Sequence, residues 1–442
     1  LPLKLNDMHR SSKTNESNHI SVKPLHIILF LAAILPVRHV TAQTGISGKL
    51  SLDQCIETGL KNNPGYQSSE FLLDETEAKI EEAFSGYYPV VTLNSDADTY
   101  SRENGNQKYN TLNTGVTLSY NIFQGYKTKS LYGAAQDNYQ ANLYQHEVNR
   151  QDLVFNIIWA YYRSLQSERI LQSADEAVKN STLHLEFAVA KQKAGMATRS
   201  DILKSEVELS NAELNKIKAA NTLLAAKGNL NQLLALPSDY QIELHDDLSV
   251  MIEVPVQPYD SLLNEAINSR SEIKKYQSFL DAQQKNILIA KSGYYPSLRA
   301  NANYNFAGPA VTSMNQNWWL GMSLSVPVFK GFLNRARVNQ EEFAYKSLEK
   351  ELEHLKQKIS QEVWNAWLSV KESVERISTS SKAVESAREN LLLAEGEYKE
   401  GVGSIIQLTD AQTTFVTVEQ SYIQALADFK ISFAELERTI GK

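Results

Sequence analysis

Apolar residues recur along this chain with two different periods, and the switch between them happens twice at the same five residues. Residues 51–85 carry the spacing of a helix, broken at Pro64. "SGYYP" follows at Ser85–Pro89, and the pattern changes to alternation. In Asn110–Phe123, Leu112, Thr114, Val116, Leu118, Tyr120 and Ile122 fall on one face, and Asn113, Gly115, Thr117, Ser119 and Asn121 on the other. Val90–Tyr100 alternates less cleanly, because Asp96 and Asp98 crowd its polar face. "SGYYP" recurs at Ser292–Pro296. After it, Leu298, Ala300, Ala302, Tyr304 and Phe306 alternate with Arg299, Asn301, Asn303 and Asn305. Trp318, Leu320, Met322, Leu324 and Val326 then alternate with Trp319, Gly321, Ser323 and Ser325. The pattern predicts four strands in two hairpins, about 88–123 and 295–329, with polar tips "SRENGNQKYN" and "GPAVTSMNQN".

Helical spacing then resumes over residues 126–191 and 332–399, which as continuous helix would each run roughly 95–100 Å. Each run turns at a glycine, Gly195 or Gly401, and returns as another helix. The return helices carry heptad-like seams diluted with small and polar residues: Leu203, Val207, Ser210, Leu214, Ile217, Asn221 and Leu224 in one, Phe415, Val418, Tyr422, Ala425, Phe429, Ser432 and Leu436 in the other. Locally this predicts an antiparallel coiled coil.

The two halves are copies. "SGYYP" repeats at an offset of 207; "LSYNIFQGY" (Leu118–Tyr126) aligns with "LSVPVFKGF" (Leu324–Phe332) at 206, as does "KQKAGMATRSDIL" (Lys191–Leu203) with "EYKEGVGSIIQLT" (Glu397–Thr409). The domain reading is therefore a first repeat over 43–236, a proline-marked linker over 237–258 and a second repeat over 259–442. Residues 1–42 read as a cleaved signal peptide. They hold a polar basic stretch, the short apolar core "LHIILFLAAIL" and small residues Val40 and Ala42 before Gln43, with Met8 the expected start. No cysteine follows the cut, so no lipid anchor is expected.

The net charge of −7 gives no electrostatic support for a nucleic-acid partner, and the single Cys55 allows no intrachain disulfide. The chain lacks Walker A, HExxH and GxSxG patterns, and His146, His184, His245 and His354 have no ligand spacing, so neither enzyme chemistry, cofactor nor metal is expected. Trp159, Trp364 and Trp367 read as helix-packing residues. Three placements remain for the four strands: packed on helices in a soluble α+β domain, edge-paired in a soluble sandwich, or apolar face to lipid in a barrel closed by several chains.

The duplication, the helix–"YYP"–strand transition in each half, the strand exits "NIFQGY" and "PVFKGF" and the turns "KAGMATRSDILKSE" and "KEGVGSIIQLTDAQ" resemble the TolC-like outer-membrane efflux family over residues 50–440. The resemblance implies a duplicated α+β membrane protein: a homotrimer with a twelve-stranded barrel in the outer membrane of a Gram-negative bacterium and an α-helical barrel in the periplasm. It also implies a periplasmic adaptor and an inner-membrane pump as partners, with small molecules exported passively. A duct for type I protein secretion shares these features; a coiled-coil adhesion protein is the reading from a different class. Two departures stand out. Asn121 replaces the proline found as Pro327 in the second half. Gln407 stands where the repeat has Asp201, with Asp410 three residues on, which implies a smaller or displaced charge ring.

The resemblance assigns adaptor docking to Lys193, Gly195, Met196, Gly401, Val402 and Gly403. It assigns the pore constriction to Asp201, Thr198, Arg199, Gln407 and Asp410. The alternative for Asp201 and Asp410 is a carboxylate favoured by a helix N-terminus. Gly86, Tyr87, Tyr88, Pro89 and Gly293, Tyr294, Tyr295, Pro296 form the helix-to-barrel junctions. There the glycines are suited to end the incoming helices, the prolines to stop their continuation, and the tyrosines either to form an aromatic belt or to pack the junction.

Overall fold

The computed structural model describes residues 48–101, 108–249 and 257–442; the expected leader, most of the first hairpin tip and part of the linker lie outside them. The elements run α1 (Leu52–Asn62), α2 (Pro64–Ser85), β1 (Val90–Ser101), β2 (Lys108–Gln124), α3 (Lys127–Lys193), α4 (Arg199–Leu233), α5 (Tyr259–Ser269), α6 (Ser271–Lys291), β3 (Ser297–Gly308), β4 (Asn315–Ser325), α7 (Leu333–Glu400) and α8 (Ile405–Thr439). Among the described residues no helix is long and apolar enough to cross a membrane.

Local chemistry sets the boundaries. Ser51 caps α1 in a reciprocal capping box with Gln54, and the Asn63 carboxamide accepts from the amides of Gly65 and Tyr66, starting α2 with Pro64 at its first position. In the second repeat the break between α5 and α6 falls at Arg270, which is 4% exposed and held by Glu272 and Glu362, each at 2.5 Å. Cys55 is buried in α1, and burial pushes its thiol up to about 12, so it is no reactive group.

The four strands form one antiparallel sheet in the order β1-β2-β3-β4. Its register matches face to face: Val116 stands opposite Tyr304 and Leu93, Leu118 opposite Ala302 and Val91, and Ala300 opposite Met322. On the other face the Asn303 amide donates to Thr117 at 2.8 Å, Asn305 donates to Asn113 at 2.8 Å and Arg299 to Asn121 at 2.9 Å. The alternation breaks once. β2 bulges between Asn121 and Phe123, so Phe123 rather than Ile122 stands opposite Leu298.

Gly86 caps the end of α2, as expected, and Gly293 lies in the turn just past α6. Gly86 is right-handed, with φ −61°, and Gly293 sits in a short 3-10 turn, so neither ends its helix through left-handed backbone. They are small because a helix start approaches them. A Cβ on Gly86 would lie 3.1 Å from the Thr128 methyl, and one on Gly293 2.7 Å from the Asn334 amide oxygen. The left-handed residues lie at the strand exits instead. Gly125 and Tyr126, then Gly331 and Phe332, have φ between 57° and 65°, two in succession before each long helix. That pair turns the chain from strand into α3 or α7, and the aromatic member carries the steric cost.

α3 packs on α4, α6 and α8, and α7 on α8 and α6. One apolar core gathers Leu262, Ile273, Ile359, Val363 and Leu436; a second, near the tips, gathers Leu391, Tyr398, Ile405 and Leu408. Trp364 and Trp367 stack together beside Tyr259, and Trp159 has Arg163 over its ring; Trp159 and Trp364 both remain partly exposed. The described part of the linker, up to residue 249, packs on the first repeat. Leu50 pairs with Leu244 as a parallel bridge, Ile242, Leu244 and Leu248 are buried, and the Tyr161 hydroxyl donates to the His245 carbonyl at 2.6 Å. The two heptad-like seams part company. Phe429, Ser432 and Leu436 of α8 are buried, but all seven seam positions of α4, from Leu203 to Leu224, are exposed on the single chain.

Candidate functional site

Each long helix ends in the same hydrogen-bonded turn. At the first tip Gly195 has φ 75°; its amide donates to the Gln192 carbonyl and the Met196 amide donates to Lys191. At the second, Gly401 has φ 81°; its amide donates to Tyr398 and the Val402 amide donates to Glu397. Both are Schellman turns, which satisfy the last carbonyls of the helix and need a residue free to be left-handed. Gly403 has a second reason to be glycine: a Cβ there would lie 2.9 Å from the Glu397 Cβ. Met196 and Val402, at 73% and 81% exposed, project from the two turns, and Lys193 is exposed beside the first. Gly401→Ala is expected to weaken its tip by roughly 1–2 kcal/mol, the cost of a side chain in left-handed backbone. Amide hydrogen exchange over residues 400–404 should accelerate while the sheet is unaffected.

The returning helices begin with reciprocal capping boxes. The Thr198 amide and hydroxyl donate to the Asp201 carboxylate at 2.8 and 3.0 Å, and the Asp201 amide donates back to the Thr198 hydroxyl. Ser404 and Gln407 reproduce this geometry, with the Ser404 amide donating to the Gln407 amide oxygen at 2.8 Å. The Asp201-to-Gln407 exchange between repeats therefore conserves the cap and removes the charge. Thr198, Asp201 and Gln407 thus have a helix-starting role in the chain itself. Arg199 and Asp410 do not join these boxes. Both are exposed and have no ion-pair partner among the described residues.

Across the tips, the Lys191 ammonium donates to the Tyr398 carbonyl and lies 4.4 Å from the Tyr398 ring centroid. The Tyr398 hydroxyl is buried without a hydrogen-bond partner; burial pushes its pKa up, and the nearby Asp201 charge adds to this. Farther up, Glu208 of α4 links directly to α3 and α8, and through His184 to α7. Its carboxylate accepts from Ser181 of α3 at 3.2 Å and Thr409 of α8 at 3.0 Å, and lies 3.1 Å from His184 Nδ1. His184 Nε2 lies 3.9 Å from Glu395 of α7. Lys191, Tyr398, His184 and Glu208 were not singled out from sequence. Glu208 does share a helical spacing with the buried Ile202, Ser205 and Ala212. That polar-dotted stripe is masked by the more apolar exposed one beside it.

The junctions are half-open. Tyr87, Tyr88, Tyr294 and Tyr295 are all exposed, although Tyr87 and Tyr88 touch Phe84, and Tyr295 touches Tyr126. Pro89 and Pro296 stand immediately before β1 and β3.

A family model described as outer membrane efflux protein matches residues 55–236 and 262–442, one block per repeat. The chain is 24% identical over 426 residues to the outer membrane protein TolC of Escherichia coli (strain K12), covering 90% of this chain and 83% of that protein. It is 21% identical over 411 residues to the toluene efflux pump outer membrane protein TtgC of Pseudomonas putida, covering 88% and 83%. The structure of the outer-membrane channel OprN superposes with a TM-score of 0.78 at 17% identity, over 88% of this chain and 89% of that one.

Proposed function

The chain belongs to the outer membrane efflux protein family, and from that premise we propose that it is the passive duct of a tripartite export machine, carrying small toxic molecules out of a Gram-negative cell. The observation that carries this is the sheet. Four strands of 11–17 residues have matched apolar and polar faces, and the order β1-β2-β3-β4 leaves β1 and β4 as edges. Barrels need about eight strands to close, so one chain cannot close alone, and three supply twelve. The apolar face then meets outer-membrane lipid, the Asn, Ser and Thr face meets water, and the helices project into the periplasm. No catalysis is involved. An inner-membrane pump supplies energy through a periplasmic adaptor, which docks on the tips at Lys193, Gly195, Met196, Gly401, Val402 and Gly403. Export of small molecules follows the kind of pump named for the toluene-efflux relative.

The constriction lies at the capped helix starts, around Thr198, Arg199, Asp201 and Gln407. Its charge is carried one turn deeper by Asp410, the exposed carboxylate not spent in a cap. Purified protein should form detergent-extracted trimers and discrete conductance steps in planar bilayers. Block by trivalent cations from the periplasmic side should weaken in Asp410→Asn, since three-fold symmetry triples any lumenal carboxylate. A buffer-soluble monomer without conductance would overturn the duct, and unchanged block would place Asp410 outside the constriction.

A further inference from the structure

Where the sheet meets the long helices, an open basin of about 570 Å³ lies between α6 and α7. Its strand-side lining is Gln124, Ser297 and Ser325. Gln124 pairs with Ser297, and Ser297 with Ser325, in the register that also aligns Asn121 with Arg299 and Arg299 with Ser323. The basin is therefore continuous with the polar face of the sheet, not with the face of Phe123, Leu298 and Leu324. Three cations line it: Lys127 at the start of α3, Lys330 just before α7, and Arg337 in the first turns of α7. None of the three has a carboxylate at ion-pair distance among the described residues. One carboxylate, Glu341, also lines the basin, and it accepts from the Gln283 amide at 2.6 Å.

The imbalance extends along the chain. No acidic residue occurs between Asp281 and Glu341, or between Glu103 and Asp137, although these stretches carry Lys285, Lys291, Arg299, Lys330, Arg335, Arg337, Lys108, Lys127 and Lys129. α3 and α7 also begin here without a side-chain cap, so positive helix ends and unpaired cations gather at one level. Unpaired charge is costly to hold together unless an anion answers it.

We propose that this basin is an anion-attracting site on the lumenal wall at the base of the barrel, taking small solutes that carry carboxylate, sulfonate or phosphate. The proposal rests on the duct reading, which places the polar face inside. Three chains put nine such cations and three carboxylates around one axis. The collar gives the duct an anion-favouring section above a cation-favouring constriction at the tips. A solute with an acidic group is drawn up and out, and the export set is biased toward amphipathic anions.

The test uses the whole protein in planar bilayers of zwitterionic lipid under a low-ionic-strength KCl gradient, comparing wild type with Lys127→Gln/Lys330→Gln/Arg337→Gln. The anion-to-cation permeability ratio is expected to fall roughly three-fold or more in the triple variant. Block by inorganic pyrophosphate added from the barrel side should fall with it. Arg337→Gln alone should move both readings in the same direction by less. A conducting variant with unchanged ratio and unchanged pyrophosphate block overturns the basin and leaves the duct standing. An effect seen only in anionic lipid assigns the cations to headgroups and overturns the lumenal placement. Absence of any conductance in wild type overturns the duct, and the inference with it.

Discussion

Replacing Leu214 and Ile217 together by lysine is expected to leave the chain folded and abolish its trimer. Both side chains project from α4 at 48% and 60% exposure, within the run Leu203, Val207, Leu214, Ile217 and Leu224, all of them exposed among the described residues. Charging them therefore breaks little inside one subunit. This seam, about 32 Å long over 21 residues at helical rise, is the apolar face that a neighbouring copy is expected to cover. Burying one such side chain contributes roughly 1.5–3 kcal/mol, and each position recurs three times around the axis. Two lysines per subunit would add the cost of desolvating unpaired ammonium groups, several kcal/mol apiece. Light scattering of the detergent-solubilised protein should shift from trimer to monomer, with the far-ultraviolet circular dichroism retained. Trimers that survive the double substitution would show that the seam faces something other than a second copy.

That seam also shows how far the sequence could be read. The 3-4 spacing from Leu203 to Leu224 identified α4 as a coiled-coil helix, and the same spacing identified α8. Periodicity says that a face wants covering, but not by whom. Phe429 and Leu436 are covered within the chain, whereas Leu214 and Ile217 are not. The strands, the long helices and the glycine turns at Gly195 and Gly401 were legible because each rests on chemistry local in sequence: alternation, 3.6-residue spacing and left-handed glycine. The junctions were legible in position and not in mechanism. "SGYYP" marks the boundary, but the chain turns at Gly125–Tyr126 and Gly331–Phe332, and an aromatic residue in left-handed backbone is something no propensity suggests. The capping boxes recast Asp201 and Gln407. One repeat uses a carboxylate and the other an amide for the same hydrogen bonds, so the loss of charge in the second repeat costs the helix little. The cation-lined basin was out of reach, since Lys127 and Arg337 come together only when α3, α6 and α7 are set side by side.

Glu208 was illegible for the same reason, and its loss is the second large effect expected. The residue is 9% exposed, and its carboxylate is the shared acceptor for a hydroxyl on α3 and another on α8, beside the His184 ring. Glu208→Ala removes that acceptor and leaves His184, 3% exposed, and the Ser181 hydroxyl, on a residue 1% exposed, without their shared partner between the helices. Leaving buried donors unsatisfied costs about 2–3 kcal/mol, because the groups left behind keep their desolvation penalty. Glu208→Gln retains the shape and an acceptor oxygen and should cost less, about 1–2 kcal/mol, while Thr409→Val, which deletes one neutral donor, should cost about 1 kcal/mol. The rank Ala, then Gln, then Val separates a shared polar hub from a merely space-filling residue, for which Gln would be nearly silent. The hub lies about 10 Å along α4 from Asp201, between the tips and the rest of the duct. Loosening it uncouples the α3–α4 hairpin from α7–α8 next to the proposed constriction. Glu208→Ala trimers should therefore show longer open times in planar bilayers and faster amide exchange over residues 181–208. Unaltered exchange there, at unaltered stability, would mean that the two hairpins are held together by their other contacts, such as Lys191 with Tyr398 and the packing of α3 on α8.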